Sequence, residues 1–349
     1  MSPEHFSKNA RNVIYLVSLK LNEVIKTSLS IGNIKAAKGE KKTGFLTVAE
    51  LPTGTIDLPI TIINGAKSGP TLLVTAGVHG CEYPGIRGAQ IIASETKPSE
   101  LSGSIVIAHH VNVPGYVTQT AFFNPLDGIN LNRIWPGDIQ SVGSTSHHIA
   151  NNVYEKLQKK ATHYIDLHGG DLPEDIPQFS ASVFIGDDKV DNVSKEMMKY
   201  SLAKYLQAGS LGIGGTTTSA AAKLKIPNLL HEAGKAGLLQ KTDVEQHVNA
   251  VRNNMKYLGM IAGKPVEPRD QVQFGKWVGV KAKHGGFFQS LVEAGETVSE
   301  GQIIGKIYSP FGEAIEDIKA PQSGVVLIIN FRAAKSTGDP LISIAQGIK

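Results

Sequence analysis

The sequence predicts an α/β fold, a mixed sheet flanked by helices, followed by a small all-β domain. Three observations predict it. Apolar runs of strand length alternate with amphipathic helical stretches between residues 41 and 265. The segment KPVEPRD, 264–270, is Pro-rich and charged and reads as a linker. Beyond it no helical period survives, and short strands are separated by Gly and Pro turns. A chain of 349 residues is also long for one hydrophobic core. The expected division is an N-terminal segment 1–40, an α/β domain 41–265 and an all-β domain 266–349.

Within the first segment, SKNARNVIYLVSLKLNEVIKTSL fits a short helix and a strand equally well. From Phe45, TGFLTVAEL and TIDLPITIING alternate apolar and polar residues as half-buried antiparallel strands do. NGAKSGP turns the chain into a buried strand at Leu72–Ala76, and Pro84 opens a helix carrying Ile86, Ala89, Ile91 and Ile92. SIVIAHHVN, 104–112, is a further strand. Residues 113–140 hold many turn formers and little periodicity, and a loop this long in a compact domain is usually functional. HHIANNVYEKLQKKA is an amphipathic helix leading into the strand HYIDLHGG; SASVFIG is another strand and VDNVSKEMMKYSLAKYLQ another helix. TTTSAAAKLK is a helix, IPNLLHEAGKAG a strand ending at Glu232, and DVEQHVNAVRNNMKYLGMIAG a long closing helix. WVGVKA, GGFFQSLV, QIIGKIYS, EAIEDIKA, GVVLIIN and PLISIA supply the strands of the last domain.

Composition excludes several classes. With 41% hydrophobic and 19% charged residues the chain is globular rather than disordered. A net charge of +4, from 35 Lys and Arg against 31 Asp and Glu, is too small and scattered for nucleic acid. The longest apolar run near the N-terminus, VIYLV, is too short to span a membrane, and no small-residue cleavage site follows it. The single Cys81 cannot form an internal disulfide, so a reducing, cytoplasmic setting is expected. Its thiol is either a ligand or nucleophile, or a small buried filler, and the filler is the commoner case.

The turn between the buried strand and its helix carries His79 and Glu82. A His and a Glu three apart mark either a surface turn or half of a metal site. Two further strand ends bring His168 and Glu232. Two His and one Glu leave a fourth zinc position open, as catalytic sites do, and an acid outside the metal is then needed to move protons. Glu232 suits that task, though taken singly it reads better as an ordinary helix-start or salt-bridge acid. His109, His110, His147, His148 and His231 are expected to be core or surface histidines, and the glycines of HGGDLP and GSLGIGG turn residues.

GVHGCEYPG, NLNRIWPG, DLHGG and HEAGKAG, in that order, resemble the succinylglutamate desuccinylase and aspartoacylase family, a branch of the zinc carboxypeptidase fold. The resemblance spans roughly residues 40 to 349. It implies one zinc ion per chain held by His79, Glu82 and His168, and Glu232 as general base. It implies that Asn132 and Arg133 grip a substrate carboxylate, a task that suits the planar guanidinium. Asp166 is then expected behind His168 rather than on the metal. In one respect the chain departs from the family: no arginine lies between Arg87 and Arg133, where many relatives carry one that steadies the oxyanion. Either Arg87 substitutes, or zinc alone polarises the carbonyl, or the substrate differs. Phe122 and Phe123 occupy that stretch instead and would favour a less charged group.

EAGETVSEGQIIGKIYSPFGEAIEDIKAPQSGVV resembles the biotinyl and lipoyl carrier fold, which presents a lysine at a hairpin tip. Here the tip falls near Phe311 without a lysine, and Lys306 and Lys319 lie on flanking strands, so the module is expected to cap the catalytic mouth. The leading expectation is a zinc-dependent deacylase that hydrolyses the amide of a small-molecule N-acyl amino acid or related amine. Its rivals are a zinc carboxypeptidase acting on short peptides and a non-catalytic binding or carrier protein.

Overall fold

The computed structural model describes residues 28–348; the reading of residues 1–27 lies outside them. The described chain opens with a hairpin of β1 (Leu29–Ile31) and β2 (Ile34–Ala36). The long antiparallel pair β3 (Glu40–Leu51) and β4 (Gly54–Asn64) follows, with Leu46, Val48, Leu58, Ile60 and Ile62 on its buried face. Strand β5 (Lys67–Ala76) leads into α1 (Tyr83–Glu95), and β6 (Ser102–Ala108) into α2 (Val113–Thr118). The expected long loop then contains a hairpin of β7 (Phe123–Asn124) and β8 (Ile129–Asn130) and a turn of 3-10 helix at Leu131–Arg133. Helix α3 (Thr145–Lys156) packs before β9 (His163–His168). Next come β10 (Glu174–Ser182), α4 (Asp188–Tyr200), β11 (Tyr205–Ser210), α5 (Thr217–Lys223), β12 (Asn228–Lys235) and α6 (Lys241–Tyr257).

Strand β5 is buried on both faces, and its period of two divides the core. Leu73 packs with Tyr164, Ile149, Val153 and Ala221 on the side of α3 and α5. Leu72 and Val74 pack with Ile165, Ile92, Val251 and Met255 on the side of α1, α4 and α6. Strand β9 lies between β5 and β12, parallel to both, so the chain ends that leave these three strands emerge together.

Three elements differ from the sequence reading. The strand expected at SASVFIG starts earlier, at Glu174, and stops at Ser182. Pro177 argues against a strand there, yet it sits in a bulge between Ile176 and Phe179 where the ladder is interrupted and no N–H is required. The helix expected through YLQ ends at Tyr200, because Leu202 adopts a left-handed φ of 64° and Tyr205 and Leu206 then enter β11. The strand expected to end at Glu232 runs on to Lys235, leaving Glu232 inside the sheet.

The C-terminal segment is all β, as its turn spacing predicts: β13 (Val272–Lys281), β14 (Gly286–Ser290), β15 (Thr297–Val298), β16 (Ile303–Tyr308), β17 (Ala314–Lys319), β18 (Gly324–Asn330), β19 (Ala334–Lys335) and β20 (Pro340–Ile348). Strands β17, β16, β14 and β19 form a separate sheet. Strand β13, however, pairs in parallel with β11, and β20, β18 and β15 continue outward, so one 12-stranded sheet crosses the linker. Strand β18 then pairs back onto the start of β10, Glu174 opposite Asn330, which closes β10, β11, β13, β20 and β18 into a ring. Phe179, Tyr205, Phe274, Leu327 and Ala345 form one of the apolar clusters at this junction. No helix among the described residues is long and apolar enough to cross a membrane.

Candidate metal centre and active site

Beyond Ala76 the chain turns through Gly77, which has a φ of 65°, to deliver His79, and Glu82 stands at the N-cap of α1. Gly80 permits this turn to lie on the next one: a Cβ there would meet Tyr116 N at 2.3 Å. His168 ends the neighbouring strand β9. The donor atoms of His79, Glu82 and His168 all lie within 4.8 Å of one another, and all three side chains are buried. Sequence positions far apart thus meet at one point, as the spacing of strand ends predicts.

The hydrogen bonds behind the imidazoles decide what they present. His168 Nε2 lies 2.9 Å from Asp166 Oδ2, two residues back on the same strand face. An ionised carboxylate only accepts, so Nε2 carries a proton, and Nδ1 is the nitrogen turned towards Glu82. Asp166 is saturated by this bond, by Thr217 Oγ1 and by Thr75 Oγ1 at 2.5 Å. His79 Nε2 faces the acceptor Asn130 Oδ1 at 3.2 Å, which fixes the same tautomer. Both Nδ1 atoms therefore point at one carboxylate: His79 Nδ1 is 2.7 Å from Glu82 Oε1, and His168 Nδ1 is 2.9 Å from Glu82 Oε2. Glu82 Oε2 is buried and forms no hydrogen bond despite that approach. The donor atoms surround one point, and two imidazole nitrogens with one carboxylate fit a divalent metal of borderline softness.

With no metal between them, the imidazoles and carboxylates compensate one another's charge. Burial works to raise the Glu82 carboxyl, but His168 and His79 outweigh it and hold it at about 2. Burial likewise works to discharge His168, yet Asp166 and Glu82 push its pKa well above the ordinary value. Glu232 is moved the other way: burial raises its carboxyl well above the usual range, His168 opposes, and Glu82 and Glu174 add to the rise. It stands directly opposite His168 in the register of β12 and β9.

These residues line one cavity. Arg133 reaches it from the exposed loop, its Nη1 donating to Asn132 O at 2.7 Å. The loop carrying Leu211 and Ile213 lies against this segment; Trp135 N donates to Gly215 O at 2.9 Å, and a Cβ on Gly215 would sit 2.1 Å from Arg133 O. Asn132 is buried, its Oδ1 accepting from Thr217 N at 3.0 Å and its Nδ2 3.4 Å from His168 Nε2. Phe122 stands edge-on to His79, with ring centroids 5.7 Å apart, while Phe123 is exposed. The opposite wall is apolar and comes from several elements, with Phe179, Leu230, Trp277 and Ile328 among its side chains.

Several positions were not singled out by the sequence. Asn130, Thr75 and Thr217 orient the histidine pair, and Glu174 lines the cavity. Only Asn130 carried a signal, lying in the loop already expected to be functional. Arg87, offered as a substitute for the missing arginine, is exposed, bonds Gln90 and does not line the cavity. Cys81 is buried outside the ligand group, its thiol pushed up to about 11 by burial and then by Asp171. His109 bonds Thr61 at 2.8 Å, His147 accepts from Asp138 N at 2.8 Å and His231 lies 3.0 Å from Ser180 Oγ, so these three are occupied structurally.

Comparison with known proteins agrees with this geometry. The chain is 27% identical over 320 residues to an N-alpha-acetyl-L-2,4-diaminobutyric acid deacetylase of Halomonas elongata, covering 88% of this chain and 92% of that protein. Its fold matches the product-bound ectoine utilization protein EutE (DoeB) of Ruegeria pomeroyi with a TM-score of 0.81 at 22% identity, over 88% of this chain and 95% of that one. A succinylglutamate desuccinylase from a Silicibacter species matches equally, with a TM-score of 0.81 at 24% identity, over 92% of this chain and 100% of that one. Residues 68–258 match the succinylglutamate desuccinylase/aspartoacylase catalytic domain. That stretch spans more than half of the sequence and holds every residue of the ligand group, so the chain belongs to the succinylglutamate desuccinylase/aspartoacylase family.

Proposed function

We propose that this protein is a zinc-dependent deacylase, cytoplasmic, that hydrolyses the amide bond of a small N-acylated amino acid or related amine with water as nucleophile. One observation carries the reading: the Nδ1 atoms of His79 and His168 and the Glu82 carboxylate converge on one point, with Glu232 next to His168 in register. Zinc bound by His79, Glu82 and His168 would polarise the scissile carbonyl and acidify water. Glu232, whose carboxyl holds a proton more readily than usual, takes the proton of the attacking water and returns it to the departing amine. Arg133 supplies the permanent charge for a substrate carboxylate, and Asn132 braces the segment that presents it. Asp166 holds His168 in the ligating tautomer and does not touch substrate.

The acyl group is an uncharged one. No arginine other than Arg133 lines the cavity among the described residues, and Phe122, Phe179 and Trp277 offer hydrocarbon where a second carboxylate would need a cation. The acetylated substrate in the name of the Halomonas relative fits that demand. The all-β segment, contributing Trp277 and Ile328, caps the mouth and disfavours a passing polypeptide, which opposes a carboxypeptidase. The carrier reading is opposed by the hairpin tip, where the 91% exposed Phe311 stands and no lysine does.

The test is a zinc-dependent screen of N-acetyl, N-formyl and N-succinyl amino acids and diamines, with Glu232→Gln as control. Acetyl and formyl compounds should be cleaved in preference to succinyl, and the variant should lose roughly 100- to 10,000-fold in kcat. Full activity in Glu232→Gln would remove that residue from the mechanism.

A further inference from the structure

The two imidazoles of the ligand group are not held alike. His168 closes the regular strand β9, and the Asp166 carboxylate stands 2.9 Å behind its Nε2. His79 hangs instead from the turn between β5 and α1, and it is 8% exposed where His168 is 1%. The acceptor behind it is a neutral amide oxygen, Asn130 Oδ1, at 3.2 Å. A bond of that length to an uncharged partner is the weaker restraint. A second restraint comes from Phe122, whose ring stands edge-on to the imidazole at 86°, with centroids 5.7 Å apart.

Phe122 does not keep that place unaided. Its φ is 58°, and Phe123 N donates across it to Ala121 O at 2.6 Å, so the residue sits at the centre of a γ-turn of the rare left-handed kind. A residue bearing a Cβ disfavours such a backbone roughly 5- to 30-fold. The chain on either side is pinned: Thr120 N donates to Gly115 O at 2.9 Å, and Asn112 Nδ2 donates to Phe123 O at 3.2 Å. Between these anchors Phe122 N donates to Asp171 Oδ2 at 2.7 Å. Asp171 is fully buried, and its other oxygen accepts from Leu172 N at 2.6 Å, so both oxygens receive backbone N–H groups. Its own backbone follows His168 out of β9 and is fastened there: Gly170 N donates to Gly234 O at 3.2 Å, and Asp171 O accepts from Glu174 N at 2.7 Å. A hydrogen bond to a carboxylate contributes roughly 10- to 100-fold, enough to outweigh the strain in Phe122.

We propose that Asp171 is a positioning residue for His79, acting through Phe122. The carboxylate holds a strained backbone, the strained backbone holds an aromatic ring, and the ring restricts rotation of the less supported imidazole. The strand exit that delivers one ligand thereby braces the other. Asp171 itself does not line the cavity, so it reaches neither substrate nor metal. The assignment rests on the metal of the deacylase reading and not on its reaction.

The experiment uses the zinc-loaded full chain, Asp171→Asn, Phe122→Gly and the double variant, with two measurements. The first is the rate at which zinc is lost to an excess of chelator. Asp171→Asn should speed that loss roughly 10- to 100-fold, as expected when the support behind a ligand is removed, and Phe122→Gly should do the same. The double variant should lose zinc within about threefold of Phe122→Gly alone, because the two residues act in series. Multiplied effects, or an unchanged rate in Asp171→Asn, would overturn the proposal. The second measurement is amide hydrogen exchange. The Phe122 amide should be protected in wild-type protein and should exchange roughly 10- to 100-fold faster in Asp171→Asn, with the amides of β5 and β9 unchanged. An unprotected Phe122 amide in wild-type protein would refute the latch with no variant needed. Loosening spread over β5 and β9 would show Asp171 to be merely structural and refute it as well. Neither measurement needs turnover, so a wild-type protein that follows both patterns yet cleaves no acyl compound would uphold Asp171 and sink the deacylase reading alone.

Discussion

The two sides of the cavity are built on opposite terms. On the side of β5 and β9 the polar groups are interlocked: Asp166 accepts from three donors, and each imidazole has an acceptor behind it. On the side of β10, β13 and β18, the lining is hydrocarbon with one unpaired carboxyl, and it is assembled from strands on both sides of the linker. The first arrangement permits one geometry, because a displaced member strands a buried charge. The second tolerates exchange of side chains of similar bulk. On the proposed function, chemistry belongs to the rigid side and choice of substrate to the adaptable one.

The strongest way to break this contrast is to attack the rigid side. His168→Ala or Glu82→Gln should abolish turnover and reduce bound zinc from one equivalent to a small fraction, measured by elemental analysis after dialysis. Retention of stoichiometric metal by either variant would dissolve the distinction between the two sides. Arg133→Lys keeps the charge but loses the fork, and should raise KM about 10- to 100-fold with metal content unchanged. Trp277→Ala removes bulk from the adaptable side. It should shift the ratio of kcat/KM between butyryl and acetyl substrates towards the longer acyl group by about tenfold, while leaving zinc binding intact. The smallest effect is a null: native Cys81, buried and with its thiol at about 11, should resist iodoacetamide at pH 8 and react only on unfolding, read by mass spectrometry.

The same contrast explains what the sequence disclosed. His79 and Glu82 lie three apart in a strand-to-helix turn, and His168 and Glu232 lie in strands recognisable by their apolar runs, so local pattern marked all four as candidates and the four ordered motifs joined them. Thr75 and Thr217 look like ordinary strand and helix-start residues, and only the stacking of β5 on β9 brings them to Asp166. The other wall was hidden more thoroughly. Pro177 masked the start of β10, and nothing in the period of β13 or β18 says that one pairs with β11 and the other with Glu174 and Asp175. Edge-to-edge pairing depends on which backbone N–H and C=O groups remain free after folding, and this is not written in side-chain alternation. The C-terminal segment therefore read as a separate module, although its strands share hydrogen bonds with the α/β sheet.

The closure of β18 onto β10 has a consequence for how such a pocket diversifies. Glu174 is held opposite Asn330, and Ile328 reaches the cavity from the same strand. Adding or deleting one residue upstream in β18 would exchange inward for outward positions along its whole length. A single indel in a turn remote from His79, Glu82 and His168 would thus recast the lining of the pocket in one step, without altering the residues proposed to perform the cleavage.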